Sequence, residues 1–179
     1  MEWNYHSVGT KSRSIVTQWN TESEVWSLLA LKKKIINGEE DDYLCSGHDD
    51  VIINVWNSKG SLIRQLKGHT NAVTSLVMQG EHLISGSYDK TLRKWDLNTG
   101  QCLQILKGHT GYVIEFHGIL FSSSEDNTIL VWNQSGKCIQ TIETDNWVCS
   151  LKILDGRLYC GCSNGGYLNS WPGKKILKR

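Results

Sequence analysis

The chain has 179 residues, of which 39% are hydrophobic and 21% are charged. This composition is typical of a folded globular protein, excludes a disordered chain, and predicts a single domain over residues 1–179. Lys and Arg total 19 against 18 Asp and Glu, for a formal net charge of +1, which argues against nucleic acid or an anionic membrane as the main partner.

The location of the protein is predicted from what its sequence lacks. No apolar run reaches the roughly 18 residues of a membrane helix, and residues 1–13 lack the apolar core of a signal peptide. We therefore expect a cytoplasmic protein, with the nucleus as the alternative, and no membrane partner. In a reducing compartment the six cysteines would pack as small hydrophobic residues. Cys160 and Cys162 alone suggest a metal site, but we expect their thiols to diverge, so we predict no metal and no cofactor.

Repetition organises the chain. The five segments IVTQWN, IINVWN, LRKWD, ILVWN and YLNSWP carry tryptophans at intervals of 37, 39, 37 and 39 residues. These tryptophans are Trp19, Trp56, Trp95, Trp132 and Trp171. A fixed period of this length indicates a repeat architecture. Short apolar runs broken by Gly, Asn, Asp and Ser turns predict antiparallel, all-β units.

The segment after Trp19 is open to two interpretations. In the first interpretation, residues 25–28, VWSL, are the first strand of a unit, and KKKIINGEEDD is an insertion. Alternatively, EVWSLLAL ends the preceding unit and KKKII begins the next. We favour the first, because VWSL is similar to VTSL at 73–76 and VCSL at 148–151. The charged runs 32–34 and 39–42 are interpreted as solvated loops rather than binding patches.

Four strands per unit follow from the pattern around Trp95. Strand a is VTSLVM, strand b HLISG, strand c LRKW and strand d CLQIL. Consecutive antiparallel strands reverse direction, so the d-to-a loop and the b-to-c turn lie on one face of the sheet. We therefore expect two groups of four hydrogen-bonded side chains, which are His69, Ser85, Asp89 and Trp95, and then His109, Ser122, Asp126 and Trp132.

Ser, His and Asp in one unit are also the residue types of a hydrolase. However, the set recurs from one unit to the next, and no G-x-S-x-G elbow exposes the serine. We interpret both groups as structural networks that fasten each loop to its sheet, and we predict no catalytic residue and no enzyme activity.

Other units depart from this pattern. Gly47-His48 aligns with Gly86-Ser87 rather than with Gly68-His69, so His48 is not expected to act as a loop histidine. In the unit of Trp132, the first hairpin is three residues shorter. The unit of Trp171 has TDNWV in place of GHTGYV and Gly165 in place of the aspartate, so we expect it to lack the network.

These residues resemble a known family. GHT-x-x-V, SGSYDKT, KWD and TG-x-C-L are similar to motifs of the WD-repeat β-propeller over residues 4–177, and residues 85–111 are most like the propellers of F-box/WD-repeat proteins and myosin heavy chain kinases. The resemblance implies a ring of four-stranded antiparallel blades around a channel, used as a platform for proteins or peptides.

The blade number bears on function. The chain supplies about four to five blades, whereas propellers usually close with about four to eight. Three arrangements remain open, which are a small closed ring, an open arc of a larger propeller, and a ring completed by two chains. We favour the incomplete arc, whose open strand edges would recruit partners or self-associate.

A partner-binding face is predicted on the side of the d-to-a loops and b-to-c turns. Its candidate residues are Asn71, Tyr88, Tyr112, Glu125 and Trp147, with packing against neighbouring blades as the alternative for Tyr112 and Trp147. The predicted function is a non-enzymatic scaffold for a protein or peptide, as the substrate receptor of a ubiquitin ligase or as a targeting module. The alternative is a structural subunit that completes a larger propeller or oligomer through its open strand edges.

Overall fold

The computed structural model describes residues 19–34, 40–117, 121–155, 157–163 and 168–172. These ranges contain fifteen β-strands and no helix. Sheet 1 is β1 Val25–Lys34, β2 Glu40–His48, β3 Ile53–Asn57 and β4 Leu62–Leu66; sheet 2 is β5 Val73–Gln79, β6 His82–Ser87, β7 Thr91–Trp95 and β8 Cys102–Lys107. Sheet 3 is β9 Val113–His117, β10 Phe121–Ser124, β11 Thr128–Trp132 and β12 Cys138–Glu143; sheet 4 is β13 Val148–Leu154, β14 Arg157–Cys162 and β15 Leu168–Pro172.

Every sheet is an antiparallel meander in chain order, which confirms four strands per repeat in sheets 1 to 3. Three strands of sheet 4 lie among the described residues. The described part of the chain also contains no helix that is long and apolar enough to cross a membrane.

The segment after Trp19 follows the first of the two interpretations. β1 pairs antiparallel with β2, from Val25 opposite His48 to Lys34 opposite Glu40, so VWSL is strand a of sheet 1. The charged runs are therefore ends of two long strands, and their interpretation as loops was wrong where the structure describes them. Lys32 and Asp42 are 3.8 Å apart with largely exposed side chains, so this ion pair contributes little to stability.

The hydrophobic core is divided into layers between neighbouring sheets. One cluster joins Tyr43 and Val55 of sheet 1 to Leu83 and Trp95 of sheet 2. Equivalent clusters lie between sheets 2 and 3 and between sheets 3 and 4. Each sheet alone exposes an apolar face, so stacking the repeats side by side supplies the burial that stabilises the fold.

The sheets are arranged as an arc. Their first strands contact one another in chain order, β1 with β5, β5 with β9, and β9 with β13. Strands a therefore form the inner side and strands d the outer side, and the sheets are not closed into a ring. The expected fold class is confirmed, and the described residues form the open arc that we favoured.

The turns between strands c and d require glycine. Gly60, Gly100 and Gly136 have φ of 80°, 78° and 77°, a left-handed conformation that is strained for residues with a Cβ atom. The amide of each glycine donates to a carbonyl at the end of strand c, at 2.7 to 3.0 Å. These glycines therefore fix the hairpin that leads to the outer strand.

Candidate functional site

A chain of polar side chains crosses sheet 2. Trp95 Nε1 donates a hydrogen bond to Ser85 Oγ at 2.8 Å, and Ser85 Oγ lies 2.6 Å from His69 Nε2. His69 Nδ1 lies 2.6 Å from Asp89 Oδ2. The structure thus brings together the four side chains of this unit, from strand b, strand c, the d-to-a loop and the b-to-c turn.

Asp89 is the hub that joins this network to the backbone. Its carboxylate accepts hydrogen bonds from Thr70 N at 3.1 Å, from Thr91 N at 3.0 Å and from Thr91 Oγ1 at 2.6 Å. Thr70 belongs to the d-to-a loop and Thr91 begins strand c. The Asp89 carboxylate therefore links the d-to-a loop to the b-to-c turn and the start of strand c.

The same arrangement recurs in sheet 3. Trp132 Nε1 donates to Ser122 Oγ at 2.9 Å, and Ser122 Oγ lies 2.7 Å from His109 Nε2. His109 Nδ1 lies 3.0 Å from Asp126 Oδ2. The Asp126 carboxylate also accepts from Thr110 N and from the backbone and hydroxyl of Thr128.

The hydrogen bonds determine the protonation state of the network. Because the Asp126 carboxylate accepts, His109 Nδ1 carries a proton, and in the neutral ring Nε2 then accepts the hydrogen bond from Ser122 Oγ–H. Nδ1–H then donates to the ionised Asp126. Burial lowers the pKa of His109, although the charge and hydrogen bond of Asp126 oppose this. The histidine is therefore neutral at pH 7.

Both carboxyl groups are held ionised. Burial alone would raise the pKa of Asp126, but hydrogen bonds from Thr128 and Thr110 and the adjacent His109 lower it to about 2. Burial opposes ionisation of Asp89 in the same way, yet hydrogen bonds from His69 and Thr91 lower its pKa well below the usual range. Each network therefore stabilises the folded state most at neutral pH.

The network is poorly suited to nucleophilic catalysis. Ser85 and Ser122 are 0% exposed, and each Oγ already accepts an indole N–H, so no acyl group can reach it. Among the described residues, no group of three or more His, Cys, Asp or Glu side chains is placed to hold a metal ion. The geometry accounts for these side chains as a structural element.

We expect the stability of the protein to fall on acidification. An unfolded histidine titrates near pH ~6.5 and an unfolded aspartate near ~3.9, and His109 and Asp126 both have lower folded pKa values. The unfolded chain therefore binds more protons, so stability decreases below about pH 6.5 and further below about pH 4. Melting temperatures measured from pH 8 to pH 4 test this. His109→Gln should have a shallower slope between pH 7 and pH 5, and an unchanged slope would contradict the assignment.

Sheet 1 carries a variant of the network that the sequence did not reveal. Trp56 Nε1 donates to Ser46 Oγ at 2.8 Å, as in the other sheets. The ring that contacts Ser46, at 2.7 Å, is His48 of strand b. Its other nitrogen, Nδ1, is buried without a hydrogen-bond partner among the described residues. His48 does align with Ser87, as expected, yet its ring takes the place of a loop histidine.

Sheet 4 places a cysteine where the other sheets have the network serine. Cys160 lies opposite Leu151, just as Ser85 lies opposite Leu76. The expectation that Cys160 and Cys162 diverge was wrong, because their sulfur atoms are 3.5 Å apart. Residues i and i+2 of a strand share a face. The expected loss of the network around Gly165 falls outside the described residues, and it stays a prediction.

The candidate partner-binding residues lie on the loop face. In the four sheets, the amides of Asp49, Tyr88, Glu125 and Ser163 donate to the carbonyls of Glu24, Ala72, Tyr112 and Trp147, at 2.9 to 3.2 Å. The b-to-c turn of each sheet therefore sits beside the residue that precedes strand a. This geometry presents one pair of side chains from each sheet along the inner side of the face.

The exposure of the candidates differs. Trp147 is 48% exposed and Tyr112 is 37% exposed, whereas Tyr88 and Glu125 are half-buried. Asn71 is exposed, and its Oδ1 accepts a hydrogen bond from Ala72 N at 2.8 Å. Tyr112 and Trp147 are thus the most accessible of the aromatic candidates.

Three aromatic side chains from three sheets form a continuous aromatic row, defined as Trp26, Tyr88 and Tyr112. The rings of Tyr88 and Tyr112 stack with centroids 4.5 Å apart and planes inclined by 22°. Trp26 packs edge-on against Tyr88 at 5.4 Å, and its side chain is 45% exposed. Trp26 is not among the candidates predicted from the sequence, because its contact with Tyr88 depends on how neighbouring sheets are stacked.

Comparison with known proteins agrees with the fold. Residues 60–96 and 100–133 match the family model "WD domain, G-beta repeat". A solved structure of a computationally designed protein, Ika4, superimposes with a TM-score of 0.73 at 27% identity over 90% of this chain and 99% of that chain. The structure of U3-55K superimposes with a TM-score of 0.72 at 19% identity, over 87% of this chain and 51% of that chain. At this identity the likeness supports the fold and carries no statement about function.

Curated relatives carry the same repeats. The F-box/WD repeat-containing protein sel-10 of Caenorhabditis elegans is 39% identical over 77% of this chain and 26% of its own length. Cell division control protein 4 of Candida albicans is 47% identical over 40% of this chain and 11% of its own length. The chain thus spans about a quarter or less of these relatives.

The stacked four-stranded sheets and the repeated Trp-Ser-His-Asp network define a β-propeller class of protein. Together with the matched segments 60–96 and 100–133, they show that the chain contains WD repeats. WD repeats generally serve as non-catalytic interaction scaffolds.

Proposed function

We propose that the protein is an interaction scaffold that binds a protein or peptide on its loop face. The observation that carries this proposal is the aromatic row together with exposed Trp147, on the face where the loops of successive sheets meet. Accessible aromatic side chains are frequent anchors of protein interfaces. The buried networks below hold this face rigid, which lowers the entropic cost of binding.

A role in ubiquitin ligation is the finer proposal. It is supported by relatives named F-box/WD repeat-containing protein sel-10 and Putative E3 ubiquitin-protein ligase LIN-1, the latter from Lotus japonicus and 30% identical over 80% of this chain. In that role the loop face would hold the substrate, and other segments or subunits would supply the ligase activity.

A second function is favoured by the exposed face of sheet 1, which would complete a larger propeller or oligomer. Leu28 is 62% exposed, whereas Leu151 at the equivalent register position of sheet 4 is 3% exposed. Beside Leu28 lies a cavity of about 380 Å³. Its lining residues are Trp19, Thr21, Val25, Leu28, Leu44, Ser46 and Trp56. Another sheet packed here would bury this apolar surface.

One experiment tests both functions. We expect the double variant Tyr112→Ala with Trp147→Ala to lose more than nine-tenths of the partner captured by affinity purification, identified by mass spectrometry. Both side chains are exposed, so the melting temperature should change little. The matched control is Leu103→Ala with Ile139→Ala, which removes side chains of 49% and 48% exposure from outer strands β8 and β12.

The outcomes separate the alternatives. Equal losses in the two double variants would contradict binding at the loop face. If capture survives both double variants but is lost in Leu28→Asp, the partner occupies the open face of sheet 1. Loss of folding in the first double variant would place Tyr112 and Trp147 in the core instead.

A further inference from the structure

We propose that the aromatic row, together with Glu125, is a binding site for a cationic side chain, arginine by preference, in the partner polypeptide. This inference rests on the proposed function, since it specifies the chemistry of the segment that occupies the loop face. It gives the row and its neighbouring carboxylate a specific role.

The geometry of the row suits a flat cation. The rings of Tyr88 and Tyr112 are nearly parallel, so each turns one face towards the other. The other face of Tyr112, a residue that is 37% exposed, is left for a cation, and Trp26 supports the pair edge-on through Tyr88. The face of an aromatic ring carries negative charge density and attracts a cation within about 6 Å of its centroid. A guanidinium group is planar and weakly hydrated, so it stacks on such a surface more readily than an ammonium group.

A carboxylate lies beside the row. Glu125 N donates to Tyr112 O at 3.2 Å, which places this glutamate next to the stacked pair. Burial raises the pKa of Tyr88, and the negative charge of Glu125 raises it further. The hydroxyl of Tyr88 therefore stays neutral, while Glu125 supplies the charge that complements an arginine.

The arginines of the described region are on strands, whereas one lysine lies in a turn beside the row. Arg64, Arg93 and Arg157 are on strands β4, β7 and β14 rather than in the d-to-a loops or b-to-c turns. Lys67 and Lys107 stand at the ends of the outer strands β4 and β8, and exposed Lys90 follows Asp89 in the b-to-c turn of Tyr88. The negative charge of Glu125 beside Tyr88 repels a phosphate and attracts a cation, which favours a basic segment over a phosphorylated one.

Synthetic peptides test the charge preference directly. Fluorescently labelled nonapeptides of Ser and Gly, carrying three arginines, three glutamates or three phosphoserines, are titrated with the purified full chain and followed by anisotropy. We expect the arginine peptide to bind at least ten-fold more tightly than either anionic peptide. Tyr112→Ala and Glu125→Gln should each weaken its binding by roughly three- to ten-fold.

Matched variants keep this test specific. Tyr112→Phe retains the ring and should bind like the parent chain. Glu143→Gln, at the exposed end of outer strand β12, removes an equal charge away from the row and should have no effect. Melting curves of all four variants establish that they are folded.

The inference would be overturned by a preference for the phosphoserine peptide, by equal binding of all three peptides, or by equal losses in Glu125→Gln and Glu143→Gln. If partner capture still depends on Tyr112 and Trp147, the proposed function survives that failure. If neither capture nor peptide binding depends on the face, both proposals fail.

Discussion

Trp95→Ala is expected to lower the free energy of unfolding by about 3 to 5 kcal/mol, the largest effect of any single substitution proposed for this chain. The indole is 0% exposed and fills the layer between sheets 1 and 2. Its loss creates a cavity at that interface and also removes the donor to Ser85 Oγ. Urea unfolding followed by circular dichroism measures the change.

Two further variants separate the contributions of packing, hydrogen bonding and burial to the loss of stability in Trp95→Ala. Trp95→Phe keeps most of the packing but loses the indole N–H, so we expect a smaller loss of about 1 to 2 kcal/mol. Trp26→Ala removes the same side chain from a site that is 45% exposed, and should cost less than about 1 kcal/mol. Similar losses for Trp95→Ala and Trp26→Ala would contradict the assignment of the periodic tryptophans to the layers between sheets.

The part of the structure that sequence predicts well is the part that repeats. The strand order within a sheet and the contact of His69 with Asp89 follow from a period near 38 residues and from the reversal of consecutive antiparallel strands. Both depend on the geometry within one sheet and its entering loop. The same reasoning located the first strand of sheet 1, because VWSL is similar to the equivalent segments.

The features that sequence missed depend on relations between sheets or on ring orientation. The contact of Trp26 with Tyr88 joins sheets 1 and 2, and it requires knowing how the sheets stack. His48 reaches Ser46 because a ring two residues along a strand lies on the same face. The same rule places Cys162 beside Cys160, contrary to the expectation that the two thiols diverge.

The buried networks stabilise the fold, whereas the exposed aromatic row is available to bind a partner. His69, Ser85 and Trp95 are at most 4% exposed, so they cannot touch a partner. Trp26 and Tyr112 are 45% and 37% exposed. Substitutions of these two residues should therefore alter binding more than folding. For two neighbouring residues of one turn, we therefore expect substitution of Tyr88 to weaken binding and substitution of Asp89 to lower stability.

Asp89→Ala is expected to lower the free energy of unfolding by about 2 to 3 kcal/mol, with a parallel fall in melting temperature. The substitution leaves His69 Nδ1 and the Thr91 hydroxyl without the acceptor they use, and it frees the d-to-a loop at Thr70. Asp126→Ala should show a similar loss in sheet 3, because that carboxylate accepts the equivalent hydrogen bonds.

The matched control is Asp145→Ala, which removes an exposed carboxylate from the loop before strand β13 and should change stability by less than about 0.5 kcal/mol. Since the pKa of Asp89 is held well below its usual range, its contribution is complete above the unfolded value near ~3.9 and is lost only as the pH falls towards the folded value. An unchanged unfolding curve, or a loss equal to that of Asp145→Ala, would show that this carboxylate does not fasten the loop.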